Sequence, residues 1–182
     1  MAYKLDEKSG VWISPSFQGT EYSDGQKIEN EIYKTLQKTK DLSTNSAELK
    51  DNCKNWVFNY HFSNERSNIL RPLGNNLSDL DILEIGSGCG AITRYLGECN
   101  CNLTSLEGSF VRAKITRERN RDLKNVQVFC DKLENFQVKK KFDIITLIGV
   151  MEYSCLFSNS EDEPSRTLKQ IYSLLKDNGS LI

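Results

Sequence analysis

The stretch Asp81-Ile-Leu-Glu-Ile-Gly-Ser-Gly-Cys-Gly-Ala91 constrains the fold of this chain more than any other. The apolar run Leu80 to Ile85 reads as a buried strand with one acid, Glu84, just before its end. Gly86, Gly88 and Gly90 follow at alternate positions, and a helical stretch starts at Ala91. Glycine there permits positive φ and lets a ligand lie against bare backbone. The following helix turns free N–H groups and the positive end of its dipole toward the loop. Such a strand–loop–helix unit suits an anionic or zwitterionic small molecule.

Strand and helix patterns alternate from there to the end of the sequence. Strands are expected at 80–85, 102–107, 126–130, 142–149 and from 180 to 182. Helices are expected at 91–98, 109–121, 133–136, 151–157 and 164–176, the last stopped by Asp177-Asn-Gly179. This alternation predicts an α/β fold with a doubly wound, mainly parallel sheet and right-handed crossovers. Asp143 to Gly149 is nearly all apolar, as a strand covered on both faces should be.

The first part of the chain reads differently. Residues 1–24 carry turn residues between short aromatic pieces and suggest a loose lid or a hairpin. Ile28, Ile32 and Leu36 mark an amphipathic helix over 26–38. Ser46 can cap a second helix reaching about Tyr60, and Ser63 a third that Pro72 halts. The predicted division is an irregular segment and helical cap over 1–78, followed by the sheet domain over 79–182. The sequence stops inside its fifth predicted sheet strand, so the expected sheet is C-terminally incomplete. Its bare edge invites pairing with a second copy as a homodimer.

Composition narrows the function classes. With 38% hydrophobic residues and a net charge of −1, the chain has no general attraction to nucleic acid or anionic lipid. It has no run of about 18 apolar residues and no apolar region at its N-terminus, so neither a membrane span nor a secretory signal is expected. The six cysteines form no Cys-x-x-Cys pair, and two of them, Cys89 and Cys130, fall inside presumed ligand motifs. Free thiols in a reducing, cytoplasmic setting are expected, and no metal site. The basic stretch Arg112, Lys114, Arg117, Arg119 and Arg121 reads as a solvated helix face, because no aromatic residues are interleaved for base stacking.

Two cofactor classes fit the glycine spacing. Gly86-x-Gly88-x-x-Ala91 matches the dinucleotide fingerprint, with Glu107 about 20 residues on, where that fingerprint wants an acid for the ribose. S-adenosylmethionine is favoured by Glu84, which would repel a pyrophosphate but not a cationic methionyl group. The third glycine at 90 also favours it. So does Asp131, which ends the run Val126-Gln-Val-Phe-Cys-Asp131 and is placed to accept from an adenine amino group.

Four stretches then resemble the motifs of class I S-adenosylmethionine-dependent methyltransferases, in order, over roughly residues 80–182. They are Glu84-Ile-Gly-Ser-Gly-Cys-Gly90, Leu106-Glu107-Gly-Ser109, Phe129-Cys-Asp131-Lys-Leu-Glu and Phe142-Asp-Ile-Ile-Thr-Leu-Ile-Gly-Val-Met-Glu-Tyr153. A narrower resemblance, to bacterial methyltransferases of surface-polysaccharide gene clusters, rests on Tyr60 to Pro72, Gly90 to Glu98 and Ile148 to Tyr153. The resemblance implies a Rossmann-like methyltransferase fold that converts S-adenosylmethionine to S-adenosylhomocysteine while methylating a small molecule or glycan.

In that reading Gly86, Ser87, Gly88 and Gly90 would approach the methionyl part, with Glu84 near its ammonium group. Glu107 would take both ribose hydroxyls, with Gly108 and Ser109 beside it. Asp131 would take the adenine amino group while Lys132 and Leu133 line the ring. Ile148 and Gly149 would lie near the transferable methyl. His61, Glu152 and Tyr153 are the candidate catalytic residues on the acceptor side, and Arg66 a contact for the cofactor carboxylate. The alternatives are a catalytically silent binding module that works through a partner, and a nicotinamide-dependent oxidoreductase disfavoured by Glu84 and Asp131.

Overall fold

The computed structural model describes residues 3–17, 23, 25–151 and 163–182. Two short strands open it, β1 (Lys4–Asp6) and β2 (Val11–Ile13), paired antiparallel as a hairpin. Five further strands follow: β3 (Asp81–Ile85), β4 (Asn102–Glu107), β5 (Val126–Cys130), β6 (Phe142–Thr146) and β7 (Leu175–Leu181). Among the described residues they form one sheet in the order β1-β2-β5-β4-β3-β6-β7. Every neighbouring pair from β2 to β7 is parallel. This is the doubly wound α/β sheet of the Rossmann-like methyltransferase fold. The N-terminal segment resolves to a hairpin, and β2 extends the sheet beyond β5 in the register Val11↔Val128 to Ile13↔Cys130. Val11 is fully buried there, so the hairpin belongs to the sheet domain and its pairing crosses the expected 78/79 division.

Successive strand residues point to opposite faces, and each face has its own cover. Ile82, Leu103, Val126 and Val128 pack with Ile92 and Leu96 of α4 (Ala91–Glu98, fourth helix of the chain) and Ala113 of α5 (Phe110–Arg119). Leu83, Ile85, Leu106 and Ile145 pack with Ile171 and Leu174 of α6 (Glu163–Leu174) and with Phe136. Burial on both faces explains the near-continuous apolar runs of these strands.

The three helices before the sheet form a third cluster. Their segments are α1 (Gln26–Lys38), α2 (Ala47–Asp51) and α3 (Trp56–Phe62). Ile32, Leu36, Leu49 and Phe62 pack with Ile115 of α5 and Cys89 of the glycine loop. The single helix expected from Ser46 to Tyr60 is two helices. Ser46 does cap the first by accepting from the Leu49 N–H at 3.2 Å. The Asn52 side chain then donates to the Glu48 carbonyl, and Asn55 accepts from the Phe58 N–H at 3.0 Å, starting a new helix. Asparagine competes with the helix ladder in this way. Ser63 caps a four-residue 3₁₀ turn, Asn64–Ser67, rather than a full helix.

Three boundaries and one surface also differ from expectation. The fourth core strand ends at Thr146 rather than 149, and Gly149 sits in a turn at φ 69°. α6 ends at Leu174 and β7 starts at once, because Leu175 pairs with Phe142 and a bulge absorbs Lys176–Gly179 before Ser180 rejoins Ile144. Helix 151–157 falls mostly outside the described residues. The α5 surface is the clearest correction: two of the arginines in its basic stretch, Arg112 and Arg119, are buried rather than solvated, while Arg117 is half-buried and Arg121 exposed. Arg112 and Arg119 are 7% and 1% exposed. Arg112 pairs with buried Glu29 of α1 at 3.0 Å, and Arg119 donates to the His61 carbonyl of α3. Arg121 donates to the carbonyls of Leu36 and Thr39, where α1 ends. Burial pulls the Arg119 pKa down to about 10, leaving it a cation. The basic helix is therefore the mount for the N-terminal helices.

Candidate cofactor and acceptor site

β3 delivers the glycine loop at the carboxyl end of the sheet, between β4 and β6, where strand order reverses and parallel sheets of this type take their ligands. Gly86 has φ 75°, and a side chain there would drive its Cβ into the Val150 methyl. Gly90 has φ 80°, and its Cβ would meet the backbone Cα of Thr116 at 3.0 Å. Those two glycines let the loop lie tight against the β6 exit and against α5. Gly88 has another role, because nothing stands within 4 Å of where its Cβ would be. Its carbonyl accepts from Thr116 at 2.8 Å, and the Gly86 and Ser87 N–H groups bond to the Leu106 carbonyl. The loop is thus tied down while one side of it stays open.

Three buried carboxyl groups lie at or next to the carboxyl ends of β3, β4 and β5. Glu107, at the end of β4, is 7% exposed and accepts from the Gly88 N–H at 2.8 Å and the Ser109 N–H at 2.9 Å. Each of these two bonds falls on a different oxygen. Burial raises the Glu107 pKa above the usual carboxylate range, and the backbone donors of Ser109, Gly88 and Gly108 together with the Arg112 charge oppose the rise. Glu84 is 4% exposed and accepts from the Thr93 hydroxyl at 2.6 Å. Burial pushes its pKa up to about 7, against the pull of that bond. Asp131 is 1% exposed, and its oxygens accept from the Lys132 N–H at 2.8 Å and the Tyr3 hydroxyl at 2.7 Å.

The remaining expected residues are distributed unevenly. Ser109 is the N-cap position of α5, and Gly108 lies half-buried before it. Leu133 is half-buried against Phe136 in the core face under α6, whereas Lys132 is exposed. Ile148 lines a cleft of about 340 Å³ that includes Trp56, Asn59, Tyr60, Ser63, Glu65, Arg66 and Ile69. Trp56 stacks on Tyr60 at 5.3 Å, and the Arg66 guanidinium lies 4.1 Å from the Tyr60 ring centroid. His61 is 4% exposed and sits behind this wall, its Nε2 4.0 Å from Cys89 Sγ, outside the cleft lining. Glu152 and Tyr153 lie outside the described residues. Among the described residues that line the cleft, the one carboxylate is that of Glu65.

Several residues around the site had no local signal in the sequence. Tyr3 is 128 positions from Asp131, and Thr116 is 28 from Gly88. A signal was available for the buried arginines. Arg112 and Arg119 are seven apart and so share one helix face, the one that meets Glu29 and His61.

Comparisons with known proteins bear on the family and the fold. A family profile described as a methyltransferase domain matches residues 83–181. No curated protein matches the chain by sequence. Among solved structures, a coclaurine N-methyltransferase bound to N-methylheliamine and S-adenosylhomocysteine superposes with a TM-score of 0.56 at 16% identity, over 88% of this chain and 51% of that one. The N-methyltransferase NodS from Bradyrhizobium japonicum, in complex with S-adenosylhomocysteine, gives 0.56 at 18%, over 82% and 70%. An S-adenosylmethionine-dependent methyltransferase from Clostridium acetobutylicum gives 0.52 at 22%, over 64% and 46%. The chain spans about half the length of the first and last of these.

Proposed function

The chain belongs to the methyltransferase-domain family, and from that premise we propose that it is an S-adenosylmethionine-dependent methyltransferase for a small-molecule or glycan acceptor. The observation that carries the reading is Glu107. Its carboxylate is buried and held by backbone N–H groups, one oxygen by Gly88 and the other by Ser109, beside the open flank of Gly88. That is a preset bidentate acceptor for a pair of vicinal hydroxyls. Glu84 and Asp131 fit the same ligand. A buried carboxyl group is stabilised in its ionised form by an ammonium group, and a buried carboxylate suits an adenine amino group. A pyrophosphate would gain from neither.

S-adenosylmethionine, when bound, supplies an electrophilic methyl group. The chain's own residues hold and screen. The Gly86–Gly90 loop, Ser87 included, receives the methionyl part, Glu107, Gly108 and Ser109 the ribose, and Asp131 and Leu133 the base. Ile148 and the turn at Gly149 border the acceptor cleft, so cleft and loop meet where a methyl group would pass. Arg66, half-buried on the cleft wall and close enough to pull on the Glu84 titration, is available to a carboxylate. Catalysis rests mainly on holding two reactants in near-attack geometry. The stacked Trp56–Tyr60 pair gives an acceptor a flat apolar platform, and Glu65 can take a proton from it. In this assignment residues 79–182 hold the cofactor and the helices before them build the acceptor wall. The free edge of β7 is where a second copy would pair. No described helix is long and apolar enough to cross a membrane, and we place the reaction in the cytosol.

Thermal shift with S-adenosylhomocysteine, S-adenosylmethionine, NAD and NADP tests the class. Stabilisation is expected with the first two alone, about 3 kcal/mol at a hundredfold excess over Kd. Stabilisation by a nicotinamide dinucleotide instead would refute the assignment. Release of S-adenosylhomocysteine in the presence of an acceptor separates an enzyme from a silent binding module.

A further inference from the structure

We propose that Tyr3 is a positioning residue for purine recognition: its hydroxyl fixes the Asp131 carboxylate so that the site accepts a 6-amino purine and rejects a 6-oxo one. This rests on the reading of Asp131 as the acceptor for the adenine amino group. The sheet register brings the two together. Lys4 pairs with Ile13, and Ile13 pairs with Cys130. Tyr3 and Asp131, one residue past Lys4 and Cys130, therefore both stand at the carboxyl end of the sheet. The tyrosine reaches across the end of β2 to donate to Asp131 Oδ2 at 2.7 Å.

The ring is aimed by packing rather than left to rotate. It lies edge-on to Phe129, with centroids 5.0 Å apart, and 6.0 Å from Phe136. The terminal torsion of an aspartate is otherwise broad and roughly two-fold. The Lys132 N–H holds Oδ1 at 2.8 Å, and the Tyr3 hydroxyl holds Oδ2, so the two donors together define the carboxylate plane. A carboxylate has about four acceptor positions, so one stays available on each oxygen. Burial and the neighbouring carboxylate both push the Tyr3 pKa upward, so the phenol remains a donor through the neutral range. An amino group finds a fixed acceptor there. An oxo group finds a carboxylate it cannot pair with and that cannot turn away. The hairpin, which adds two strands beyond the core sheet, thereby carries a recognition residue to the cofactor site.

Calorimetric titration of the chain with S-adenosylhomocysteine and with its 6-oxo analogue, S-inosylhomocysteine, tests this. Asp131→Asn should collapse the preference for the amino compound. Tyr3→Phe keeps the ring on Phe129 and Phe136, and should leave the protein folded with a lowered melting temperature, since a buried carboxylate loses one donor, while lowering the preference about tenfold, the scale of one hydrogen bond to a charged group. A preference unchanged by Tyr3→Phe but abolished by Asp131→Asn would overturn the role of Tyr3 and leave the site reading intact. Tighter binding of S-adenosylhomocysteine to Tyr3→Phe with the same preference would show a competitor instead, and overturn it too. A preference that Asp131→Asn does not alter would overturn both.

Discussion

A carboxyl group held at a pKa of about 7 inside a protein couples the site to pH. Glu84 rises from 4.5 to about 7 because burial penalises its charged form. Between those values the unfolded chain has released its proton and the folded chain still holds it. The unfolded state then binds fewer protons, so stability falls as pH rises through that window. Glu107 shifts in the same direction, whereas Asp81, Asp122 and Asp143 are lowered and act only in more acidic solution. The ligand-free protein should therefore melt at lower temperature at about pH 7.5 than at about pH 5, and Glu84→Gln should remove much of that slope. If Glu84 also faces the ammonium group of the cofactor, binding favours its ionised form. Affinity for S-adenosylhomocysteine should then increase with pH across the same range, with proton release visible as a buffer-dependent heat. A pH-independent melting temperature and affinity would contradict the buried-acid account. The identity and order of the three acids were legible in the sequence, because each ends a strand run. Their partners were not. Thr93 and Tyr3 meet Glu84 and Asp131 only through tertiary packing.

At the scale of elements, α5 does more than cover the sheet. Its Arg112 and Glu29 of α1 form an ion pair with side chains 8% and 2% exposed. Removing one partner leaves a buried charge and should destabilise by about 3–5 kcal/mol, while replacing both with apolar residues of similar size should cost much less. Denaturant unfolding of Glu29→Met, Arg112→Met and the double variant reads this directly. Additive losses in the double variant would mean the pair is not coupled. The strand and helix sequence from 81 to 130 was readable to within a residue or two because burial on both faces and the glycine loop leave few options. The stretch from 46 to 77 was less readable. Its hydrophobic stripe fits one helix, but Asn52 and Asn55 recruit the backbone into caps, and that local competition decides the outcome. The end of α6 was misplaced for a related reason: Leu175 gains more from pairing with Phe142 than from another helical turn, and the bulge then accommodates the Asp177-Asn-Gly179 turn signal inside a strand.

Among the described residues the sheet is parallel apart from the antiparallel β1–β2 pair. The proposed ligand end draws on the loop after β3, the ends of β4 and β5, and the α3 wall with the turn after β6. The sheet order of the core is β5-β4-β3-β6-β7. Alternation and handedness predict its parallel pairing but not this order, since more than one doubly wound order satisfies both. A hairpin was one of the two readings of residues 1–24, but its pairing with β5 at the far edge was not legible, since three-residue strands carry almost no periodic signal. Yet it supplies a hydroxyl to a buried carboxylate and full burial for Val11. The central claim is that this end of the sheet holds S-adenosylmethionine through Glu107. Isothermal titration of S-adenosylhomocysteine into the wild-type chain and into Glu107→Ala tests it most directly. The account predicts measurable binding by the wild type and a loss of about 2–4 kcal/mol in the variant, the cost of removing one partner from a desolvated, charge-assisted pair. Equal affinity of the two proteins, with the variant folded, would contradict it.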